Sequence, residues 1–302
     1  MKKRSRFPGI YVVLILLLLY LPIAVVIAYS FNDTKLFHWA GFTFSWYGKL
    51  FHNQTLINAF FNSLELALIS SASAAVLGTL GAVGLSGRHF RARGALENLS
   101  MIPIMVPEII LGMAYLSFFT FVRLPAGMLT LVLAHTTFCV PYIFINVKAR
   151  LSALDPSIGE AARDLGASAQ RAFFDITLPL IAPAILSGAL LAFAMSMDDV
   201  VISFFVTGAQ TSTLPLEIYS MLRMGVTPEI NALCTVLLGA VFLLVAFSRL
   251  FQKSSRSRFF EKKLGKKLQP AAPRTVGQVQ LNNPSPDVLA CARYDRARQR
   301  WG

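Results

Sequence analysis

Five ionisable side chains lie in or at the edges of long apolar runs: Glu65, Glu108, His135, Asp198 and Asp199. On insertion scales a charge at the centre of a bilayer costs about 2.5–3.5 kcal/mol, so each needs either a function or a partner to explain it. Carboxylates so placed could balance the charge of a passing cation. Glu108 and His135 together could instead relay a proton, as in a proton-driven secondary transporter. Covalent and metal chemistry find no support. The chain has no H-E-x-x-H, no G-x-S-x-G and no paired catalytic acids at a usable spacing, which argues against a membrane-embedded enzyme. It also has no G-x-x-x-x-G-K-[ST] loop to hold nucleotide phosphates. Cys139, Cys234 and Cys291 are far apart and form no C-x-x-C pair, so neither a disulfide framework nor a metal site is implied.

The elements that must carry these acids are membrane spans. Of 302 residues 55% are hydrophobic and only 14% charged, against about 25% charged in a soluble domain. About 20 apolar residues are needed to cross the hydrocarbon core. Six stretches qualify, at about 9–30, 63–86, 100–122, 127–147, 181–206 and 230–251. The first follows the basic KKRSR segment but is too long for a signal-peptide core, so it is read as an uncleaved helix. With the N-terminus inside, every basic residue falls on the cytoplasmic side except Lys35, Lys49, Arg123 and Arg223. That asymmetry predicts six spans with both termini cytoplasmic. The formal charge of +13 sits between and after the apolar runs, where anionic lipid rather than nucleic acid is the natural partner.

The predicted organisation has three parts. Residues 1–8 are a basic N-terminus, 9–252 a transmembrane domain, and 253–302 a basic, proline-containing tail without apolar periodicity that is expected to be disordered. In the second span Ala67, Ser70, Ser71, Ala74 and Gly78 share one helical face, the pattern of closely packed helices. By helical rise Glu108 lies roughly 14 Å into the third span, after Pro103 and Pro107, which disturb the local helix. Asp198 and Asp199 are adjacent and would point about 100° apart on a continuous helix. One could then face a path while the other caps or braces the helix end. His135 reads as a packing residue or a lining one, Glu65 as reaching interfacial water, and Trp39 and Trp46 as an interfacial aromatic belt.

A polar stretch, EAARDLGASAQRAFFDITLP, separates the fourth and fifth spans on the cytoplasmic side. Asp155-Pro156 reads as an N-cap and first helical position, and Gly166 as the residue just past a helix end. Two short helices are predicted, at about 156–165 and 169–176. Ser168 caps the second, and Pro179 marks entry to the next span. A loop of this length is usually functional when ordered.

Glu160-Ala161-Ala162, Gly166 and Ile176-x-Leu178-Pro179 match the spacing E-A-A-x3-G-x9-I-x-L-P. That pattern resembles the EAA motif of binding-protein-dependent ABC importer permeases. The resemblance covers about residues 9–255 and extends to Ser30-Phe31-Asn32, Trp46-Tyr47, LAHTTFC (133–139), SMDDVVISFFVTG (196–208) and LPLEIYSMLRMGVTPEINAL (214–233). These segments are similar to the polyamine branch, in particular to second permease subunits of putrescine and spermidine importers.

The resemblance implies an all-α type I importer permease in a bacterial inner membrane. Its coupling helices, at about 155–178, would dock on a cytoplasmic ATPase through a polar contact of Glu160. Ala161 and Ala162 would allow close approach, and Gly166 the corner. The implied partners are a second permease, two ATPase copies, a periplasmic binding protein and a polyamine. ATP and Mg would sit on the ATPase, with no cofactor on this chain and no catalysis of its own. Dispersed carboxylates and aromatic faces suit a polyamine that must also leave. Glu108 and Asp198 are the leading lining candidates, with Asp199 and His135 beside them.

Overall fold

The computed structural model describes residues 7–34, 38–86, 91–155, 157–164 and 166–243. The predicted tail, residues 1–6, Pro156 and the end of the sixth apolar stretch lie outside them. The chain forms two units, Met1–Gly239 and Ala240–Gly302, and only 240–243 of the second are described. Among the described residues the structure is helical, with one isolated β-bridge between Asn32 and Phe42. The all-α expectation holds.

Helix α1 (Phe7–Tyr29) is followed by α2 (Ser45–His52) and the long α3 (Gln54–Leu85). Next come α4 (Arg93–Met105), α5 (Glu108–Phe121) and α6 (Met128–Ser152). A short α7 (Ser157–Asp164) precedes α8 (Ala169–Ala172), which runs through a π turn (Phe173–Thr177) into α9 (Leu178–Asp198). The chain ends its described part with α10 (Val201–Val206), α11 (Leu214–Arg223) and α12 (Pro228–Leu243). Among the described residues four helical runs are long and apolar enough to cross a membrane: α1, α3, α6 and the run Ala169–Asp198. The pair α4–α5 makes a fifth, and α12 is the described part of the sixth stretch.

Two predicted spans depart from single helices. The third bends by 105° between α4 and α5. Pro107 pushes Val106 into extended backbone (φ −85°, ψ 134°), and Pro107 itself lies outside α5. The fifth stops at Asp198, because Asp199 is extended (φ −69°, ψ 127°) before α10 begins. The two aspartates therefore do not share a continuous helix. A third difference concerns 169–176, which is no separate helix but the first turns of the run into α9. Pro179 has no N–H for a carbonyl one turn back, and the chain meets that gap with the wider π turn just before it.

The core is a triangle of α3, α6 and α9. Leu66, Ala74, Phe138, Ile143, Phe144, Ile181 and Ala192 are buried in it. All five small residues of the predicted stripe on α3 are buried. At Gly78 the approach is closest, since a Cβ there would stand 2.9 Å from the Ile143 Cβ and 3.0 Å from the Val140 carbonyl oxygen. On α1 the large apolar side chains from Tyr11 to Leu21 are exposed, so that face needs lipid or another chain.

Trp46 departs from the belt expectation. It is buried, and its Nε1–H donates to the Asn32 carbonyl at 2.8 Å. The Asn32 amide organises that loop, donating to the His38 carbonyl (2.9 Å) and accepting from the Ala40 N–H (3.0 Å). Trp39 is exposed, as the belt reading requires.

Candidate functional site

The EAA element is built by local capping. The Asp155 carboxylate accepts from the Ser157 N–H at 2.9 Å, one of the orphan donors at the start of α7. The Ser157 N–H, with its hydroxyl, holds the Asp155 carboxyl below its ordinary range. At the far end Gly166 takes φ +83°, in the left-handed region that disfavours side chains. The Ala167 N–H then reaches back to the Ala162 carbonyl at 3.0 Å, the six-to-one bond of a Schellman turn. Ser168 opens the next helix by accepting from the Arg171 N–H at 3.3 Å.

Glu160 and Ala161 lie within α7, and Ala162 is buried. Ile176 falls in the π turn, while Leu178 and Pro179 open α9. The motif thus spans one helix, one glycine corner and the start of a membrane-spanning run.

The base of this element is tied to the bundle. Arg150, in the last turn of α6, donates through Nε to the Leu180 carbonyl of α9 at 3.1 Å. Two residues earlier Lys148 meets Glu97 of α4 at 2.8 Å, and Arg93 meets the same carboxylate at 3.0 Å. Short polar links thus tie the end of α6, from which the chain leads into α7, to α4 and α9.

The intramembrane candidates divide sharply. His135 and Asp199 come together in the bundle interior, whereas Asp198 and Glu108 are exposed. Asp199 caps α10, its Oδ1 accepting from the Ile202 N–H (3.1 Å) and its Oδ2 from the Ser203 N–H (2.8 Å). The His135 Nε2 lies 3.4 Å from Asp199 Oδ2 and 3.1 Å from the Ser203 hydroxyl. On the other side of the ring Nδ1 meets the Ser196 hydroxyl at 2.8 Å, which in turn meets Ser70 of α3 at 3.2 Å. A carboxylate beside Nε2 fixes the ring hydrogen there. Ser196 serves Nδ1 in either charge state, since a hydroxyl both donates and accepts.

This node joins α3, α6, α9 and α10. Its serines escape sequence reading because they look like small packing residues; only a histidine and an aspartate in neighbouring apolar runs hinted at a pairing. Glu65 of α3 is exposed.

Next to α10 lies a cavity of about 440 Å³, walled by Ile109, Val200, Phe204, Phe205 and Tyr219, with Arg223 at its edge. Its lining begins one residue after Glu108 and two after Asp198. Arg223 rests 5.7 Å from the Tyr219 ring. Helix α10 is held firmly against its neighbours. Gly112 of α5 leaves the space that the Phe205 ring fills, and the Thr130 hydroxyl of α6 donates to the Val206 carbonyl at 2.8 Å. Among the described residues no group of His, Cys, Asp and Glu could hold a metal ion.

Packed apolar helices with a capped polar corner at one end make this a multi-pass membrane protein. Residues 74–260 match the family described as binding-protein-dependent transport system inner membrane component. Over 232 residues the chain is 47% identical to the putrescine transport system permease protein PotI of Escherichia coli (strain K12), covering 74% of this chain and 82% of that one. It is 40% identical over 238 residues to the spermidine/putrescine transport system permease protein PotC of Haemophilus influenzae, covering 78% and 93%. In fold it is similar to a chain of a bacterial ABC transporter that imports alginate, with a TM-score of 0.63 at 16% identity over 84% of this chain and 98% of that one. The chain belongs to the binding-protein-dependent transport system inner membrane components.

Proposed function

We propose that this chain is one permease subunit of an ATP-driven importer of polyamines, putrescine or spermidine, in a bacterial inner membrane. The observation that carries the reading is the identity with PotI and PotC, which runs through most of all three chains. In this reading six spans place both termini in the cytoplasm. The chain pairs with a second permease, and each permease docks on one copy of a cytoplasmic ATPase that holds the ATP and Mg. A periplasmic binding protein delivers the polyamine. The permease itself performs no bond chemistry and carries no cofactor.

Helix α7 is the coupling element. Glu160 supplies a polar contact to the ATPase, Ala161 allows close approach there, and the buried Ala162 seats α7 on its own chain. The corner at Gly166 turns the chain back into α9. Closure of the ATPase pair moves α7, and the Arg150–Leu180 and Lys148–Glu97 links carry the motion into the bundle. Glu108 and Asp198 supply exposed carboxylates beside an aromatic-walled cavity, an arrangement suited to a flexible organic cation that must be released again. The buried pair His135–Asp199 supports the path from behind.

The test is reconstitution of the complete transporter in proteoliposomes with labelled putrescine outside and ATP inside. Uptake should require ATP and loaded binding protein, and unlabelled spermidine should compete more strongly than amino acids or sugars. Uptake that persists without ATP but collapses with a protonophore would overturn the reading.

A further inference from the structure

We propose that His135 is a positioning residue for cation passage, a staple across the α9–α10 step that fixes where Asp198 is presented. The inference rests on the polyamine-path reading of Asp198 above and adds a second residue to it.

Consecutive aspartates here have opposite surroundings. Asp198 is exposed and Asp199 is 7% exposed. The difference follows from the extended backbone at Asp199, which ends α9 and turns the chain before α10. No proline or glycine lies between Met197 and Val206 to impose that step. Side-chain contacts must therefore hold it. Asp199 provides the first by capping α10 through two N–H groups.

His135 provides the others, and it grips both sides of the step. Its Nδ1 meets Ser196, three residues before Asp199; its Nε2 meets Ser203, four residues after, and faces Asp199 itself. Ser196 is backed in turn by Ser70 of α3. The far part of α10 is pinned separately, by Gly112 against Phe205 and by Thr130 on the Val206 carbonyl. The step at 199 is thus the adjustable joint, and the imidazole sets it. Without the ring, Asp199 keeps only its capping bonds. The joint then relaxes toward continuous helix, and Asp198 swings away from its present direction.

The experiment uses the full transporter in proteoliposomes with saturating putrescine-loaded binding protein, and reads putrescine delivered per ATP hydrolysed. A residue that only stabilises the bundle lowers uptake and hydrolysis together and leaves that ratio alone. The positioning role predicts a several-fold fall in the ratio for Asp198→Asn and for His135→Ala. The double variant should be no worse than Asp198→Asn alone, and His135→Gln should recover part of the loss. Ser203→Ala, which removes one arm without touching a charge, should produce a smaller fall.

A lowered ratio in Asp198→Asn beside an unchanged one in His135→Ala would overturn the positioning role while leaving the path reading in place. An unchanged ratio in Asp198→Asn would sink the path reading and this inference with it. Should His135→Ala fail to assemble, His135→Gln and Ser203→Ala decide the matter; wild-type ratios in both would overturn the proposal.

Discussion

Two polar regions of this molecule, the α7 corner and the His135 node, are built from the same kinds of side chain and behave as opposites. At α7 and its corner, Asp155 and Ser168 cap helices from exposed positions, with partners two or three residues away. At the node, His135 meets Ser196 and Ser203, 61 and 68 residues distant in sequence, in a site shut off from solvent. Water can replace any single bond in the first region. In the second, each unmet group would stay unmet in low dielectric. Polar chemistry at α7 is therefore available for docking a partner, while at the node it is committed to holding the bundle in shape.

The largest expected effects separate the regions most cleanly. Glu160→Lys reverses a charge at the proposed docking face. A loss of roughly 3 kcal/mol, about a hundredfold in ATPase docking affinity, is expected for such a reversal. Uptake should fall to background while the unfolding midpoint of the permease in detergent stays put. Normal uptake by that variant would remove Glu160 from the mechanism.

Asp199→Ala should do the reverse of this in its main effect. It strips the cap from α10 and leaves the buried His135 ring without its carboxylate partner. A lost cap costs about 1 kcal/mol and an unmet buried donor about 1–3 kcal/mol more. The midpoint should drop steeply in a denaturation series. An unshifted midpoint would mean that the node carries no stability and that its polar groups are as replaceable as those at α7.

Two glycines sharpen the same comparison at smaller amplitude. At Gly78 the constraint is space: a methyl group meets the Ile143 side chain and the Val140 backbone, neither of which yields cheaply. Gly78→Ala should cost about 1–3 kcal/mol of bundle stability. At Gly166 a Cβ meets nothing within 4 Å, but φ is +83°. Gly166→Ala should cost about 1–2 kcal/mol in the corner alone. Uptake should fall several-fold with the global midpoint unchanged. A lowered midpoint in Gly166→Ala would show the corner to be part of the core.

The contrast also explains what could be read from the residues in order. Capping signals act over a few positions, so Asp155, Gly166 and Ser168 disclose the corner in linear sequence. The apolar runs disclose the spans by length, and Ala67 to Gly78 disclose a packing face by periodicity. The bend at Pro107 was half legible, since prolines announce disruption but not an angle of 105°. The break at Asp199 was not legible, because neither glycine nor proline marks it and its cause lies on α6. The π turn before Pro179 escapes for a related reason: a proline near a helix start reads as a boundary, and the chain absorbs it within one continuous run. Trp46 was misplaced because the buried acceptor for its indole is a backbone carbonyl, which no residue type reveals.

The smallest effect expected is at Asp155, and its sign follows from the capping geometry. The Ser157 N–H and hydroxyl stabilise the ionised carboxyl, which lowers its pKa from an ordinary value of 3.8. A carboxyl whose pKa is lower in the folded state contributes stability above the unfolded value and loses it as pH falls through the folded one. Acidification below about pH 4 should therefore loosen α7 first, with faster amide exchange across Ser157–Asp164 and none at the buried node. Asp155→Asn retains a capping oxygen but removes the charge, so α7 should persist at neutral pH with slightly less protection and lose its acid sensitivity. Equal exchange in both proteins across the acid range would show that Asp155 is a passive surface residue, and that the start of α7 is held by something other than its cap.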